Sequence, residues 1–467
     1  MSRDWAWLFD IGSTFTKLTV VDLGEPGTRY RSQAPTTVDT DVREGFQAAI
    51  EQVHRQDGPR FSEAAYRASC SSAAGGLALA VSGLVPRLSA EAGRIAALGA
   101  GAKLIGTLSY RLTDDDLDRL RGWGPDIVLL TGGTDGGDTA TLVANADALA
   151  GWPDCPAVIV AGNREVSDAA TEALTAAGIR ATKVENILPE LDRLVVDPVR
   201  TAIRDEFMST IVHAKGIDRV REHLDAEILP TPGVVLDGVR LLAERLFRGG
   251  VMAVEVGGAT TNVHSWSPTE HEQGVVQRGL PEPELKRTVE GDLGVRWNAE
   301  TILELAGNAW FEAREQIDTA ALEDYVAAVA ARPSTLPADD AERRFDGLLA
   351  TFAAQTAIRR HCGRRREVLL PEGPLLVQEG KDLRGVGVVL GTGGSIVNGD
   401  EPQRILAAAL DREDHFALIP ACAEPLIDTD YALYAAGLLA DDHPDAAVEV
   451  ARRSLEAVAP RLERSTA

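Results

Sequence analysis

A chain of 467 residues is too long for one compact core and implies two or three domains. Hydrophobic residues at 45% and charged residues at 25% are globular values, which excludes disorder over most of the length. The net charge of −24, from 71 acidic against 47 basic side chains, repels phosphate backbones and argues against a nucleic-acid partner, while a nucleotide held by backbone N–H groups and a metal stays compatible. The chain opens as strand, glycine turn, strand: residues 5–10 are apolar, Gly12-Ser13-Thr14 interrupts, and 18–22 resumes as a β-branched run. Residues 30–34 read as a third strand. A helix follows over 41–56, with Phe46, Ile50 and Val53 on one face, and 66–69 is a further strand.

From 73 to 230 the texture changes to alternating strand and helix. Strands are expected at 103–109, 126–130, 157–160 and 180–184, and helices at 114–120 and 167–177, the latter ending at Gly178. This alternation predicts a parallel, doubly wound, flavodoxin-like domain inserted into the first. The weakly polar stretch 75–85 is too short to cross a bilayer. After Pro230 and Pro232 the first texture returns, with a helix at 236–247, strands at 251–255 and 261–266, and a mostly helical region over 287–366. A strand at 386–390 runs into Gly391-Thr392-Gly393-Gly394, and a last helix covers 429–440. The expected boundaries are 1–72, 73–230, 231–425 and 426–467. Cys70, Cys155, Cys362 and Cys422 form no C-x-x-C and read as free thiols of a reducing cytosol. With no basic segment leading into an apolar run at the start, a cytoplasmic protein without membrane association is expected.

One local plan occurs twice. Asp10-Ile11-Gly12-Ser13-Thr14-Phe15-Thr16-Lys17 is an acid, a glycine turn, and hydroxyl residues opening a strand; Glu255-Val256-Gly257-Gly258-Ala259-Thr260-Thr261-Asn262 repeats it. Such a hairpin suits a phosphate. Glycines let backbone N–H groups come close to the anion, hydroxyls add donors, and an acid at the strand end can hold hydrated Mg²⁺. Gly391-Thr392-Gly393-Gly394 is a third turn that can lie flat against a ligand. For either hairpin alone, an ordinary glycine β-turn is the alternative.

The three motifs in this order resemble the actin-like ATPase superfamily: a two-lobed, ribonuclease H-like α/β fold with first phosphate, second phosphate and adenosine motifs. The resemblance narrows on "LLTGGTDGGD" from Leu129, "VIVAGN" from Val158, "VEVGGATTNVHSW" from Val254, "RTVEGDLGVRWNA" from Arg287 and "DTDYALYAAGLLA" from Asp428, which together are similar to the MutL-type accessory family of glutamate mutase, unrelated to mismatch repair. It implies ATP and Mg²⁺ as cofactors, the subunits of an adenosylcobalamin-dependent mutase as partners, and a reactivating chaperone with slow ATPase turnover. Asp10 and Glu255 would be the catalytic and metal-holding acids. Gly12, Ser13, Thr14, Thr16, Lys17, Gly257, Gly258, Thr260, Thr261, Gly391, Thr392, Gly393 and Gly394 would bind the nucleotide. The superfamily's second motif begins and ends with Asp; here Glu255 and Asn262 stand there, so slow hydrolysis is expected. A small-molecule kinase, a hydantoinase-like enzyme and a nucleotide-locked scaffold without turnover are the alternatives.

Lesser features carry expectations too. Gly132–Asp138 is either a binding loop or a plain strand-to-helix connection. Glu290 and Asp292 are expected to be solvated, the run Arg359-Arg360-His361 with Arg364-Arg365-Arg366 to be a solvated helix face, and His264 to be packed. The inserted domain resembles the cobalamin-binding subunit of the mutases, yet the loop after 103–109 has no D-x-H-x-x-G, whose His ligates cobalt there. Mimicry of that subunit without cobalamin, and a common α/β unit with its own small ligand at Gly132–Gly137, are the two expectations.

Overall fold

The computed structural model describes residues 4–456 apart from 13–14, 27, 38–40, 73–77, 212–216, 248, 269–271, 315–316, 334, 372, 400 and 412–413. The chain forms two compact units, Met1–Val235 with Gly279–Pro283, and Leu236–Arg278 with Glu284–Ala467.

In the first unit β1 (Trp5–Ile11), β2 (Phe15–Asp22) and β3 (Thr28–Pro35) make an antiparallel meander. The strand β4 (Ala64–Ser71) runs parallel to β1. All seven residues of β1 are buried, because helices cover this central strand while its neighbours pair on both edges. Phe9 stacks on Phe46 with ring centroids 4.3 Å apart, and Phe61 meets Trp7 edge-on at 5.2 Å. Phe46 comes from the helix Val42–Arg55, which buries Phe46, Ile50 and Val53 as its spacing predicts; the Asp41 carboxylate caps it by accepting from Arg43 N.

The chain then leaves this sheet for a second one. Here β5 (Ala78–Gly83), β6 (Lys103–Ser109), β7 (Ile127–Leu130), β8 (Ala157–Val160) and β9 (Ala181–Lys183) are all parallel, in the order β6-β5-β7-β8-β9. Counted from β5, that is the flavodoxin-like order 2-1-3-4-5. The weakly polar stretch at 75–85 therefore contains the leading strand of this sheet. Its small residues serve packing: a Cβ at Gly83 would fall 2.6 Å from Ala90, and one at Gly93 2.6 Å from Val81, so the helix Ser89–Gly99 lies directly on the strand. One core cluster joins Trp7 and Phe9 of the first sheet to Val81, Ala96 and Ile127 of the insertion. The chain returns through β10 (Ile228–Pro230) beside β4, closing the first sheet as β10-β4-β1-β2-β3.

The second unit repeats that first plan. Its sheet begins with the antiparallel pair β11 (Val251–Val256) and β12 (Thr261–Trp266). After β13 (Val275–Arg278) comes β14 (Leu285–Glu290), antiparallel to β12. Then follow β15 (Arg364–Leu370), β16 (Gly373–Glu379), β17 (Val388–Thr392) and β18 (Glu424–Ile427). The main order is β14-β12-β11-β17-β18, with β13-β16-β15 as a small separate sheet. Both main sheets thus carry an antiparallel meander continued by two parallel strands, the ribonuclease H-like order 3-2-1-4-5 found in duplicate in actin-like ATPases. The α/β fold class expected from the motifs is the one observed.

The region 287–366 needs correction: it starts inside β14 and ends inside β15. Buried Lys286, Arg287 and Thr288 hide β14 from any apolar pattern. The basic run is likewise no solvated helix face. The helix Asp340–His361 ends at buried His361, which bonds Ser265 Oγ at 2.8 Å and Thr288 Oγ1 at 2.9 Å. Arg360 binds Glu290 at 2.7 Å and Asp292 at 2.8 Å, and Arg365 on β15 pairs with Glu272 and Asp382. Glu290 and Asp292 are accordingly ion-paired, and Arg360 holds the Asp292 carboxyl below its usual range. No helix among the described residues is long and apolar enough to cross a membrane.

Candidate functional site

The two hairpins close in the same way. Asp10 pairs with Lys17 across the first and Glu255 with Asn262 across the second. Gly12 N donates to Phe15 O at 3.0 Å; Gly257 N donates to Thr260 O at 3.0 Å. A Cβ at Gly12 would sit 2.8 Å from Phe15 O, and one at Gly257 3.0 Å from Thr260 O, so glycine is what lets each turn close this tightly. Ser13 and Thr14 lie outside the described residues. Asp10 is nearly buried; its Oδ1 accepts from Thr231 Oγ1 at 2.8 Å and from Cys70 Sγ at 3.6 Å, and its Oδ2 faces Lys17 Nζ at 3.6 Å. Burial, then the Asp10 carboxylate, pushes the Cys70 thiol well up, so it sits there as a neutral donor. Thr16 bonds its hydroxyl to Thr36 Oγ1 at 3.1 Å, inside the fold.

The second hairpin is held from behind by residues 291–298. Val295 N donates to Gly257 O, Arg296 N and Trp297 N both to Gly258 O, and Asn298 Nδ2 to Ala259 O, all within 2.9–3.1 Å. A Cβ on Gly294 would overlap Ala259 at 2.2 Å, which measures how closely this segment fits. The carbonyls of the turn are thereby taken, while the N–H groups of Gly258, Ala259 and Thr260 have no protein partner among the described residues. Donors open on one side and acceptors satisfied on the other make an anion-binding nest. The Thr261 hydroxyl is not one of those donors, contrary to the sequence-based expectation: it donates to Leu293 O at 2.7 Å and helps anchor the same segment.

Behind Glu255 runs a buried polar line that sequence reasoning missed. Arg287 Nη2 donates to Asn262 Oδ1 at 3.0 Å, and Asn262 Nδ2 donates to Glu255 Oε2 at 3.1 Å. Burial lowers the Arg287 guanidinium to about 10, with Glu255 opposing the shift. Asn262 suits this place because its amide can accept from a cation through Oδ1 and donate to a carboxylate through Nδ2 at once. His264, one step along the same strand face, is fully buried as expected, and burial with Arg287 nearby pulls its pKa well below the usual value. A second buried cluster backs the turn itself: Arg296 makes a bidentate pair with Asp346, at 2.7 Å from Nη1 and 2.5 Å from Nη2, and Tyr325 Oη donates to Asp346 Oδ1 at 2.6 Å. Burial and that carboxylate hold the Tyr325 phenol above its usual range, so it stays a donor.

The third glycine turn lies against the second hairpin. Glu255 is in register with Thr392, and a Cβ on Gly393, at φ 92°, would fall 2.3 Å from Val256 O. Gly391 ends against Leu406, and Gly394 opens the short helix Gly394–Val397 near the Tyr431 hydroxyl, to which Asn398 Nδ2 donates at 3.3 Å. Tyr431 sits at φ 51°, a strained conformation for a side chain with a Cβ, and precedes the helix Ala432–Leu439. Thr392 Oγ1 donates to Asp428 Oδ2 at 3.4 Å; buried Asp428 also caps that helix through Ala432 N and Leu433 N. Nearby, a cavity of about 580 Å³ opens between the helices Asp340–His361 and Pro402–Ala409, lined by Arg343, Arg344, Gly347, Leu348, Arg404 and Ile405 among others. Arginine side chains above an apolar floor fit an aromatic base. Each hairpin carries one carboxylate, Asp10 or Glu255, and hydrated Mg²⁺ needs only one or two protein carboxylates, so the chemistry of either hairpin by itself suits a metal that also meets phosphate.

In the inserted sheet, the loop 132–138 is tied to its neighbours: Asn186 Nδ2 donates to Gly133 O and Asp135 Oδ1, and Asn163 Nδ2 to Gly137 O and Asp138 O. Neither the loop after β6, Tyr110-Arg111-Leu112-Thr113, nor the loop after β5, Leu84-Val85-Pro86-Arg87-Leu88, contains a His.

The chain is 40% identical over 454 residues to Protein MutL of Clostridium tetanomorphum, covering 96% of this chain and 98% of that one. Among solved structures it is similar to a nucleotide-free acetone carboxylase (12% identity, TM-score 0.42, 94% of this chain and 70% of that), and to an ATP-dependent caprolactamase from Pseudomonas jessenii (13%, 0.37, 95% and 70%). A carbohydrate kinase from Novosphingobium aromaticivorans also matches (13%, 0.33, 98% and 100%). The family model described as MutL protein matches residues 6–455, so the chain belongs to the MutL family, the accessory family of glutamate mutase.

Proposed function

We propose that this protein is a cytoplasmic, ATP-binding accessory factor that reactivates an adenosylcobalamin-dependent mutase of the glutamate mutase type. Family membership supports the mutase association. The observation that carries the nucleotide reading is the second hairpin, whose carbonyls are bonded from behind while the N–H groups of Gly258, Ala259 and Thr260 have no protein partner among the described residues. In this reading the donors at Gly258, Ala259 and Thr260 take phosphate oxygens, the turn at Gly12 offers its own unit a site of the same build, and the base takes the arginine-lined cavity between the helices Asp340–His361 and Pro402–Ala409. Asp10 and Glu255, each at its own hairpin, are the carboxylates that would hold Mg²⁺ through water, and the metal would supply neutralisation of phosphate charge. Turnover is slow because position 262 carries an amide already bonded to Glu255 and Arg287, and so offers no base to water.

Calorimetric titration with ATP and Mg²⁺ tests this, in the natural chain and in Asp10→Asn. Metal-dependent binding that the variant loses is the expected result; equal affinity in both rejects the site. Isotope-traced hydrolysis with and without a mutase then separates the roles. Stimulation by the mutase supports the reactivating factor, turnover dependent on a small acceptor indicates a kinase, and tight binding with no turnover indicates a locked scaffold.

A further inference from the structure

We infer that Arg296 and Asp346 are positioning residues for the phosphate end of the nucleotide: their buried pair fixes the Gly258 carbonyl, and with it the direction of the donors at Gly258, Ala259 and Thr260. The inference rests on the nucleotide reading above and adds residues that touch no phosphate.

Three observations converge on it. First, Gly258 O accepts from both Arg296 N and Trp297 N, at 2.9 Å each, so the plane of the peptide between Gly258 and Ala259 follows the backbone of Arg296. Because the peptide unit is planar, holding that carbonyl also aims the N–H of Ala259 on its far side. Second, the Arg296 stem lies against Gly258, 3.3 Å from where a Cβ would be, so the turn rests on this side chain as well as on its backbone. Third, the guanidinium is fixed in turn. Both its ends bind Asp346, Nη1 also donates to Val295 O at 3.1 Å, and Tyr325 holds Asp346 Oδ1. Arg296 and Asp346 are both nearly buried, with 10% and 11% of their side chains exposed, so the pair is shielded from salt and from competing water.

Asp346 also belongs to the helix Asp340–His361, whose Arg343, Arg344, Gly347 and Leu348 line the cavity. At 100° per residue the cavity-lining side chains share one face and Asp346 lies on another. One helix turn therefore serves the base on one side and the phosphate turn on the other. A buried ion pair is weak evidence for stability as such, since apolar replacement is often neutral, and its specificity for one geometry is the better-attested use.

The test compares three ligands by calorimetry: ATP with Mg²⁺, tripolyphosphate with Mg²⁺, and adenosine. The proteins are the natural chain, Asp346→Asn, Arg296→Lys and Tyr325→Phe, each checked by circular dichroism and thermal melting. Asp346→Asn should weaken ATP and tripolyphosphate by about tenfold or more, the size usual when a residue supporting a contact residue is lost. Adenosine binding should be unchanged. Tyr325→Phe, which keeps the ion pair, should give a smaller loss of the same kind, and Arg296→Lys, which loses the bidentate fork, a larger one. A fall in all three ligands alike, or lower melting with no change in tripolyphosphate binding, assigns the pair a purely structural role and overturns the inference. A natural chain that binds neither ATP nor tripolyphosphate rejects the nucleotide reading itself, and the inference with it.

Discussion

At the scale of single residues, two buried side chains of β12 bear most directly on behaviour. Asn262 donates to Glu255 and accepts from Arg287. Aspartate in its place keeps the arginine but cannot donate, and it sets a second carboxylate beside Glu255. Asn262→Asp should cost about 1.5–3 kcal/mol of unfolding free energy, the worth of a hydrogen bond to a charged group, measured by urea denaturation. Because position 262 then carries the carboxylate whose absence slows turnover, single-turnover hydrolysis should rise in that variant, toward the ~10²-fold or larger gain of a general base; a fall in rate would assign the base to another residue. His264 sets an acid limit. Its pKa is depressed by burial first and by Arg287 second, so below the usual histidine value of about 6.5 the unfolded chain binds a proton that the folded chain refuses. Stability from this group is complete above that pH and falls as pH drops, at about 1.4 kcal/mol per pH unit, until the depressed pKa is reached. His264→Phe should remove that slope between pH 7 and 5 in denaturant unfolding.

At the scale of elements, the glycine turns decide whether a hairpin can accept an anion at all. Gly393→Ala sets a methyl against Val256 O at a backbone angle that side chains rarely adopt. It should cost about 1–3 kcal/mol in thermal or urea unfolding and lower the affinity for ATP and for tripolyphosphate, because the displaced turn bears on the hairpin strand at Val256. The hairpins themselves were legible in the sequence, since acid, glycine and hydroxyl stand in a fixed order over eight residues. So were β7 and β8, which are plain apolar runs. Strand β5 was not, because alanine, serine and glycine are chosen there for the helix lying on them and leave Val81 as the one β-branched residue of the strand. Nor was β14, whose buried Lys286 and Arg287 imitate a solvated segment. The supporting partners of the site, Arg287, Asp346 and Tyr431, lie 25, 88 and 173 positions from the hairpin residues Asn262, Gly258 and Gly258, a separation that no local pattern spans. The glycine at 393 was readable, but its dependence on Val256 was not.

At the scale of the whole molecule, the inserted sheet is no appendage, because Val81, Ala96 and Ile127 share one core with Trp7 and Phe9. A test of mimicry therefore needs the full chain. If the insertion imitates the cobalamin-binding subunit of a mutase, the full-length protein should be displaced from the catalytic subunit by that small subunit in a pull-down; retention regardless of competitor would end the idea. The position of β10 has a further consequence, for biosynthesis. The first sheet takes its outermost strand from residues 228–230, in register with 69–71 of β4. Two parallel neighbours require a crossover of a dozen or more residues, and here the whole insertion is that crossover. A nascent chain can assemble the meander early, yet its sheet stays one strand short until the ribosome has released Pro230. Until then the free edge of β4 is open to pairing with other chains, so translation through the insertion is the interval in which a holdase would protect this protein most.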